Sequence, residues 1–499
     1  MSYGLGLIQS KKNKIPRSLE FDGFLGQSPK QREEKGGGHR GRETTTALNG
    51  GLSLPLIKEI FKMKQSNSCC AVNLTALVLA AVLLTGCPMG QEKPKNKIDE
   101  GPSSIFLTDG SGLIFGYTCK KEELPADLII PEKIGNEVIT EIYQTAFKDC
   151  TGLTGLTLPA SLTKIGDVAF SGCSGLKSVN LSGCKNLTKI GLGAFSDCTS
   201  LKRLDLSGCT NLAKIDTAVF SGCTDLTSIT FPANLNTIDS AAFSDCIGLT
   251  SITFPANLTT IGDKAFKGCT GLTGTIVFPA SLKTIGVGEA YGPSNIDKGA
   301  FKGCTNLQKI DFSACTSLTE ISYAAFEGCT SLTTVNIGTC TKLNLIDEYA
   351  FQDCKKLENI NFPANLNKIG TMAFAKCLSL KSINLPANLT EISSSTFTYC
   401  QSLTNINFPA NLNRIGDSAF YSCYGLTSIT LPASLTKIGS RAFGSCTGLT
   451  SVDFADKNGW KAGSTTIDPS DLADLSKAAK YLREENYNGG YCNEYWKKN

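Results

Sequence analysis

The stretch SDCIGLTSITFPANLTTIGDKAF occupies residues 244–266, and AKCLSLKSINLPANLTEISSSTF occupies 375–397. Both obey one rule, C-x-x-L-x-x-I-x-[LF]-P-A-x-L-x-x-I-x-x-x-[AT]-F. The closing Phe recurs at 147, 170, 195, 220, 243, 266, 301, 326, 351, 374, 397, 420 and 443. Seven of the twelve intervals are 23 residues, four are 25 and one is 35. A period of 20–29 with Leu and Ile at fixed offsets is the signature of a solenoid. In Leu249-x-x-Ile252-x-Phe254 the alternation turns residues 252 and 254 inward, as a strand requires. Pro255 ends that strand because it has no N–H to give, and Ile261 and Phe266 close the coil. One coil has too few apolar residues to bury itself, so each must stack on its neighbours. The Phe residues then form one continuous column. At about 4.8 Å per coil, thirteen coils make a rod or arc roughly 60 Å long.

The 25-residue units have a local cause. Where the short unit reads F-P-A-N-L, the long one reads L-S-G-C-K-N-L, as at Leu181–Leu187, and four such insertions carry Cys184, Cys209, Cys315 and Cys340. The 35-residue interval adds one residue near Gly274 and eleven between Ile285 and Ile296, which reads as a surface excursion.

The C-x-x-L-x-x-I-x-L-P…A-F unit resembles the BspA-like, or treponemal-type, family of leucine-rich repeats, over residues 128–454. The degenerate opening coil (Leu128 to Pro131, Ile134, Ile142) is similar to that family's first coil. The resemblance implies a β-rich leucine-rich repeat solenoid of about thirteen 23–25-residue coils. It also implies a bacterial surface protein that adheres to host matrix or plasma proteins or to other bacteria.

Outside the repeats the chain divides further. Leu74–Leu84 (LTALVLAAVLL) is far shorter than the roughly 20 residues that span a bilayer, and it fits a signal-peptide core. Leu84-Thr85-Gly86-Cys87 follows it and resembles a lipobox, which would place diacylglycerol on Cys87. Cys87 lies too far from Met1 for such a signal but well placed from Met63, so translation is expected to start there. The expected organisation is an over-extended start at 1–62, a signal peptide at 63–86, a tether at 87–104, a strand cap at 105–127, the solenoid at 128–454 and a cap with a helix at 455–499. In the last of these, Asp468-Pro469-Ser470-Asp471 reads as a helix start. Leu472, Leu475, Ala479 and Leu482 would then share one face. The tail aromatics Tyr491, Tyr495 and Trp496 would seal the last coil.

Composition narrows function. Hydrophobic residues make up 41% and charged residues 18%, so the chain as a whole is globular. The net charge of +4 predicts no nucleic-acid partner. Residues 1–86 hold 12 basic and 6 acidic residues, which leaves 36 basic and 38 acidic from Cys87 onward. His39 is the sole histidine and falls before Cys87. Nucleophile systems that need an imidazole base, and most zinc sites, are thereby excluded from the mature chain. A glycosidase needs two carboxylates about 5–9.5 Å apart, whereas Asp205 and Asp311 lie four coils, about 19 Å, apart. No enzyme activity and no cofactor is expected.

Thirteen of the 22 Cys share one repeat position, from Cys150 to Cys446. A column of stacked, parallel side chains lacks the converging geometry of a disulfide. Buried free thiols acting as small hydrophobes are therefore expected, with 184/209 and 315/340 as the pairs left open to bridging.

Binding is expected on the strand face, whose outward residues are polar and mostly uncharged. The candidates are Arg203, Asp205, Lys309, Asp311, Asn336, Asn361, Asn384 and Asn407. The partner would be an extracellular protein or glycan, with the chain held at the outer membrane by its lipid. The alternative is a periplasmic scaffold that binds peptidoglycan or an envelope protein.

Overall fold

The computed structural model describes residues 105–287 and 298–498. They form a single solenoid wound from two columns of short parallel strands and a third, strandless arc. The first column holds three- and four-residue strands at equivalent repeat positions. One five-stranded ladder runs from Asp127–Ile129 to Ser228–Thr230, and a six-stranded ladder runs from Thr275–Val277 to Asn405–Asn407. Ser428–Leu431 and Ser451–Phe454 pair beyond it. Strands add in register, so Asn336 faces Asn361, Asn361 faces Asn384 and Asn384 faces Asn407. The second column stacks dipeptides such as Lys164–Ile165 on Lys189–Ile190. The opening coil is complete, since Asp127–Ile129 and Glu141–Ile142 pair with the coil after them.

One expectation is corrected here. Ile252 and Phe254 do point inward and are buried, but residues 251–254 join no ladder. The following coil carries its extra residue at Gly274, in a left-handed conformation (φ 68°). That residue offsets Thr275–Val277 from the strand position before it.

The Phe column is continuous. From Phe147 to Phe443 each of the thirteen rings stacks on the next, with centroids 5.0–5.6 Å apart and planes within 4–14°. All are fully buried. A second, shorter column of Phe231, Phe254, Phe278 and Phe312 meets the first edge to face, as Phe231 does Phe243 at 79°. Offset stacking within a column and T-shaped contact between columns both suit the ring quadrupole.

The arc that carries Phe is held by an unusual backbone. In every coil the residues two before and two after the Phe have positive φ; Val168 (49°) and Gly172 (73°) flank Phe170. Nineteen of these 26 residues are not glycine, at a cost on the order of 1–2 kcal/mol each. The alternation turns successive N–H groups toward the next coil. Val168 donates to Leu192, Phe170 to Ala194 and Gly172 to Ser196, each at 2.8 Å. Three buried donors satisfied per coil, where orphans would each cost about 1–3 kcal/mol, offset the two strained residues.

Both ends are covered. At the start, Phe106–Thr108 and Leu113–Tyr117 form an antiparallel hairpin that extends the second column through Glu141–Ile142. Tyr117 stacks on Phe147 at 5.7 Å and Phe106 meets it edge-on at 6.3 Å. At the other end, Arg441 and Ser445 donate their N–H groups to the carbonyls of Cys492 and Arg483, which stand where the next coil's carbonyls would be. Two helices complete this cap, Pro469–Ala473 and Leu475–Arg483. Asp468 caps the first as expected, accepting from Ser470. Asp474 then caps a second helix by accepting from Ser476 and Lys477, so the expected single helix is two. Leu472, Ala479 and Leu482 are buried, but Leu475, now at the start of the second helix, is exposed. Trp496 is buried against Phe454 and Trp460.

Candidate functional site

The strand face is built by alternation. In Arg203–Asp205 the middle Leu204 is buried while Arg203 and Asp205 project outward, and every regular coil repeats the pattern. Asn336, Asn361, Asn384 and Asn407 form one aligned, exposed column. Asn407 donates from Nδ2 to Asn384 Oδ1 at 3.0 Å, so neighbouring amides can satisfy one another across coils. Lys309 and Asp311 lie at its head, with Asp311 opposite Asn336. Arg203 and Asp205 lie in the preceding ladder, flanked by Ser178, Ser228 and Thr230. The eight candidates therefore fall in two groups on one face, not at one point. Among the described residues, Arg203 and Lys309 make no ion pair.

Asp205 and Asp311 also have a local task. Asp205 Oδ1 accepts from Ser207 N, and Asp311 Oδ1 from Ser313 N, both at 2.9 Å. Hydrogen bonds from Ser207 hold the Asp205 carboxyl below its usual range. Asp311 is also lowered: burial opposes this, but Ser313 and Asn336 outweigh it. Asn180 accepts from Ser182 in the same way. All three sit in 25-residue units, where Ser-Gly or Ser-Ala replaces Pro-Ala. An Asx turn takes the place of the proline there, which explains why a short acid or amide stands at these positions.

The repeat-position cysteines do more than fill space. From Cys173 to Cys446 each Sγ donates to the carbonyl of the preceding coil's Phe, at 3.0–3.3 Å. That carbonyl otherwise has only a long bond, as from Cys150 N to Phe147 O at 3.4 Å. Burial pushes the Cys173 thiol up to about 12 and Cys329 likewise. The thiols left open to bridging are free: Cys184 donates to Pro159 O, Cys209 to Leu181 O, Cys315 to Pro279 O and Cys340 to Phe312 O. Among the described residues no cluster of three or more His, Cys, Asp or Glu could hold a metal ion. Cys87 and the segments before residue 105 lie outside the described residues.

This arrangement, an interlocked scaffold with a repetitive outer face, is that of a leucine-rich repeat interaction module. The family model for the BspA type leucine rich repeat region matches residues 140–273, 290–401 and 368–460, in six copies. The matches cover more than half of the chain, which belongs to that family. No enzymatic family is indicated. No match was found among curated proteins. Among solved structures, a leucine-rich repeat protein from Bacteroides ovatus is similar at 26% identity, covering 65% of this chain and 91% of its own, with a TM-score of 0.38. A leucine rich cell surface protein from Faecalibacterium prausnitzii is 23% identical over 77% of this chain and 98% of its own, with a TM-score of 0.35. The T. pallidum leucine rich repeat protein is 21% identical over 58% of this chain and 91% of its own, at 0.29.

Proposed function

We propose that the protein is a bacterial lipoprotein, acylated at Cys87 and displayed on the outer membrane, that acts as an adhesin for an extracellular protein or glycan. The supporting observation is the in-register polar column from Asp311 to Asn407. It offers the same amide contact coil after coil, so that weak individual contacts add by multivalency. One diacylated Cys, with the roughly 0.8 kcal/mol each buried CH₂ contributes, supplies the anchor.

Three measurements test this. Labelled fatty acid should join the native protein and be lost in Cys87→Ser. Protease added to intact cells should remove the repeat region. Binding to immobilised matrix proteins and glycans should weaken when Arg203, Asp205, Lys309 and Asp311 are neutralised. For the two acids the substitution is to Asn, which keeps the Asx turn as Asn180 does. If protease leaves the protein untouched, adhesion fails and a periplasmic scaffold that binds peptidoglycan or an envelope protein takes its place.

A further inference from the structure

The turn leading out of the left-handed arc brackets the column Cys with two slots. In the first nine coils the slot before Cys holds only Gly or Asp, and in seven of the first eight the slot after it holds Thr or Ser. The next coils abandon this rule together. The slot before Cys becomes Lys376 and then Tyr399; the slot after it becomes Lys355, Leu378, Gln401 and Tyr424. Lys376 and Tyr399 are bulky residues in left-handed backbone, at φ 60° and 59°, where five of the nine earlier coils place Gly at no steric cost and the other four a short Asp. The substituted side chains line a shallow, open surface depression of about 350 Å³ formed by Asp353, Lys355, Lys376, Leu378, Tyr399 and Gln401. A second concavity, of about 240 Å³, lies at the same slots of the last coil, between Ser445, Thr447 and the cap residues Arg483 and Glu484, but it lacks an aromatic wall.

We infer that the depression at Tyr399 is a saccharide site, and that the sugar it takes carries a carboxylate. The Tyr399 ring is 37% exposed and is braced edge-on by Tyr421 at 5.8 Å and 84°. It presents a flat aromatic surface of the kind that packs against the C–H face of a pyranose. Gln401 is exposed and offers both an amide donor and an acceptor for ring hydroxyls. Lys376 is committed to Asp353 at 3.8 Å. Lys355 is exposed and makes no ion pair among the described residues, so its ammonium is the group left to meet an anion. The volume suits one or two sugar rings and lies at the low end of ligand pockets, about 300–1,000 Å³. A peptide anchor would need a deep apolar pocket, and Leu378 alone does not make one. The site lies off the strand face and stands whether or not that face binds.

The test uses the full chain, with glucuronic acid and N-acetylneuraminic acid as probes and glucose and N-acetylglucosamine as their neutral controls. Binding is read by saturation-transfer NMR and calorimetry. The acidic sugars should bind at least tenfold more tightly than the neutral ones. Tyr399→Gly restores the residue of earlier coils and relieves the left-handed side chain, so the fold is kept while affinity falls at least tenfold. Lys355→Gln should erase the preference for the acid and leave the circular dichroism spectrum unchanged. The inference is overturned if neither acid binds, if neutral sugars bind equally well, or if Tyr399→Gly binds as the wild type does.

Discussion

Raising the pH under reducing conditions should unfold this protein through its cysteines. Burial holds Cys173, Cys329 and Cys446 protonated up to about 12, and raises Cys223, Cys304, Cys354, Cys400 and Cys423 well above their ordinary range. In the unfolded chain a thiol ionises near 8.5. Below that value both states hold the proton and the contribution to stability is complete. Between about 8.5 and 12 the folded chain keeps a proton that the unfolded chain releases, so stability falls as pH rises, by about 1.4 kcal/mol per unit per thiol. A 23-residue coil, at about 0.05–0.15 kcal/mol per residue, carries a net stability of roughly 1–3 kcal/mol. One thiol per coil cancels this one to two and a half units above 8.5, which places the transition between about pH 9.5 and 11. The 25-residue coils hold a second buried thiol, raised by burial to about 11 at Cys184 and about 12 at Cys315. They should yield first. The assay follows far-ultraviolet circular dichroism and thiolate absorbance together during titration. The two signals should change together, at each stage of the transition. Thiolate absorbance that grows smoothly from pH 8 while the dichroism stays native would refute the argument, as would an intact fold at pH 12.

Two other outcomes follow from packing. Phe351→Ala removes a fully buried ring stacked on Phe326 and Phe374; it should cost about 3–5 kcal/mol and separate the unfolding of the two halves in denaturant. Because both Trp460 and Trp496 lie in the C-terminal cap, their fluorescence would report the far half alone. Gly274→Ala isolates a backbone effect, since φ is 68° and nothing lies within 4 Å of a Cβ placed there. A loss of about 1 kcal/mol is expected, measured by the denaturation midpoint.

How far the sequence could be read depended on which force set each feature. The Phe column and the inward Ile residues were legible because hydrophobic burial leaves a period, and thirteen copies make that period unmistakable. The left-handed pairs were not, because Thr145, Lys376 and Tyr399 have no intrinsic preference for positive φ; interlocking hydrogen bonds between coils impose it. The cysteines were read as small hydrophobes, and they are buried, but their donation to Phe carbonyls was missed. A signal for it exists: this slot in leucine-rich repeats takes Asn or Cys, two residues unlike in polarity that share a side-chain donor. The second C-terminal helix is not legible because Asp474 falls inside the run Leu472–Leu482, whose apolar spacing fits one continuous helix, whereas in the structure it acts as a cap. On the strand face, the placement of Asp205 and Asp311 was legible, but not the Asx turn that explains them. That needed Ser207 and Ser313 seen in place.

The hydrogen bond from each column thiol, Cys173 to Cys446, to the Phe carbonyl of the coil before it joins equivalent atoms one repeat apart. Any coil therefore presents the same sockets to its successor as its predecessor presented to it. Whole units deleted or duplicated in frame should leave flanking coils able to dock on one another, so that recombination between copies would change the reach of the chain and not its fold. Length becomes a heritable dial, set apart from the surface chemistry of any single unit.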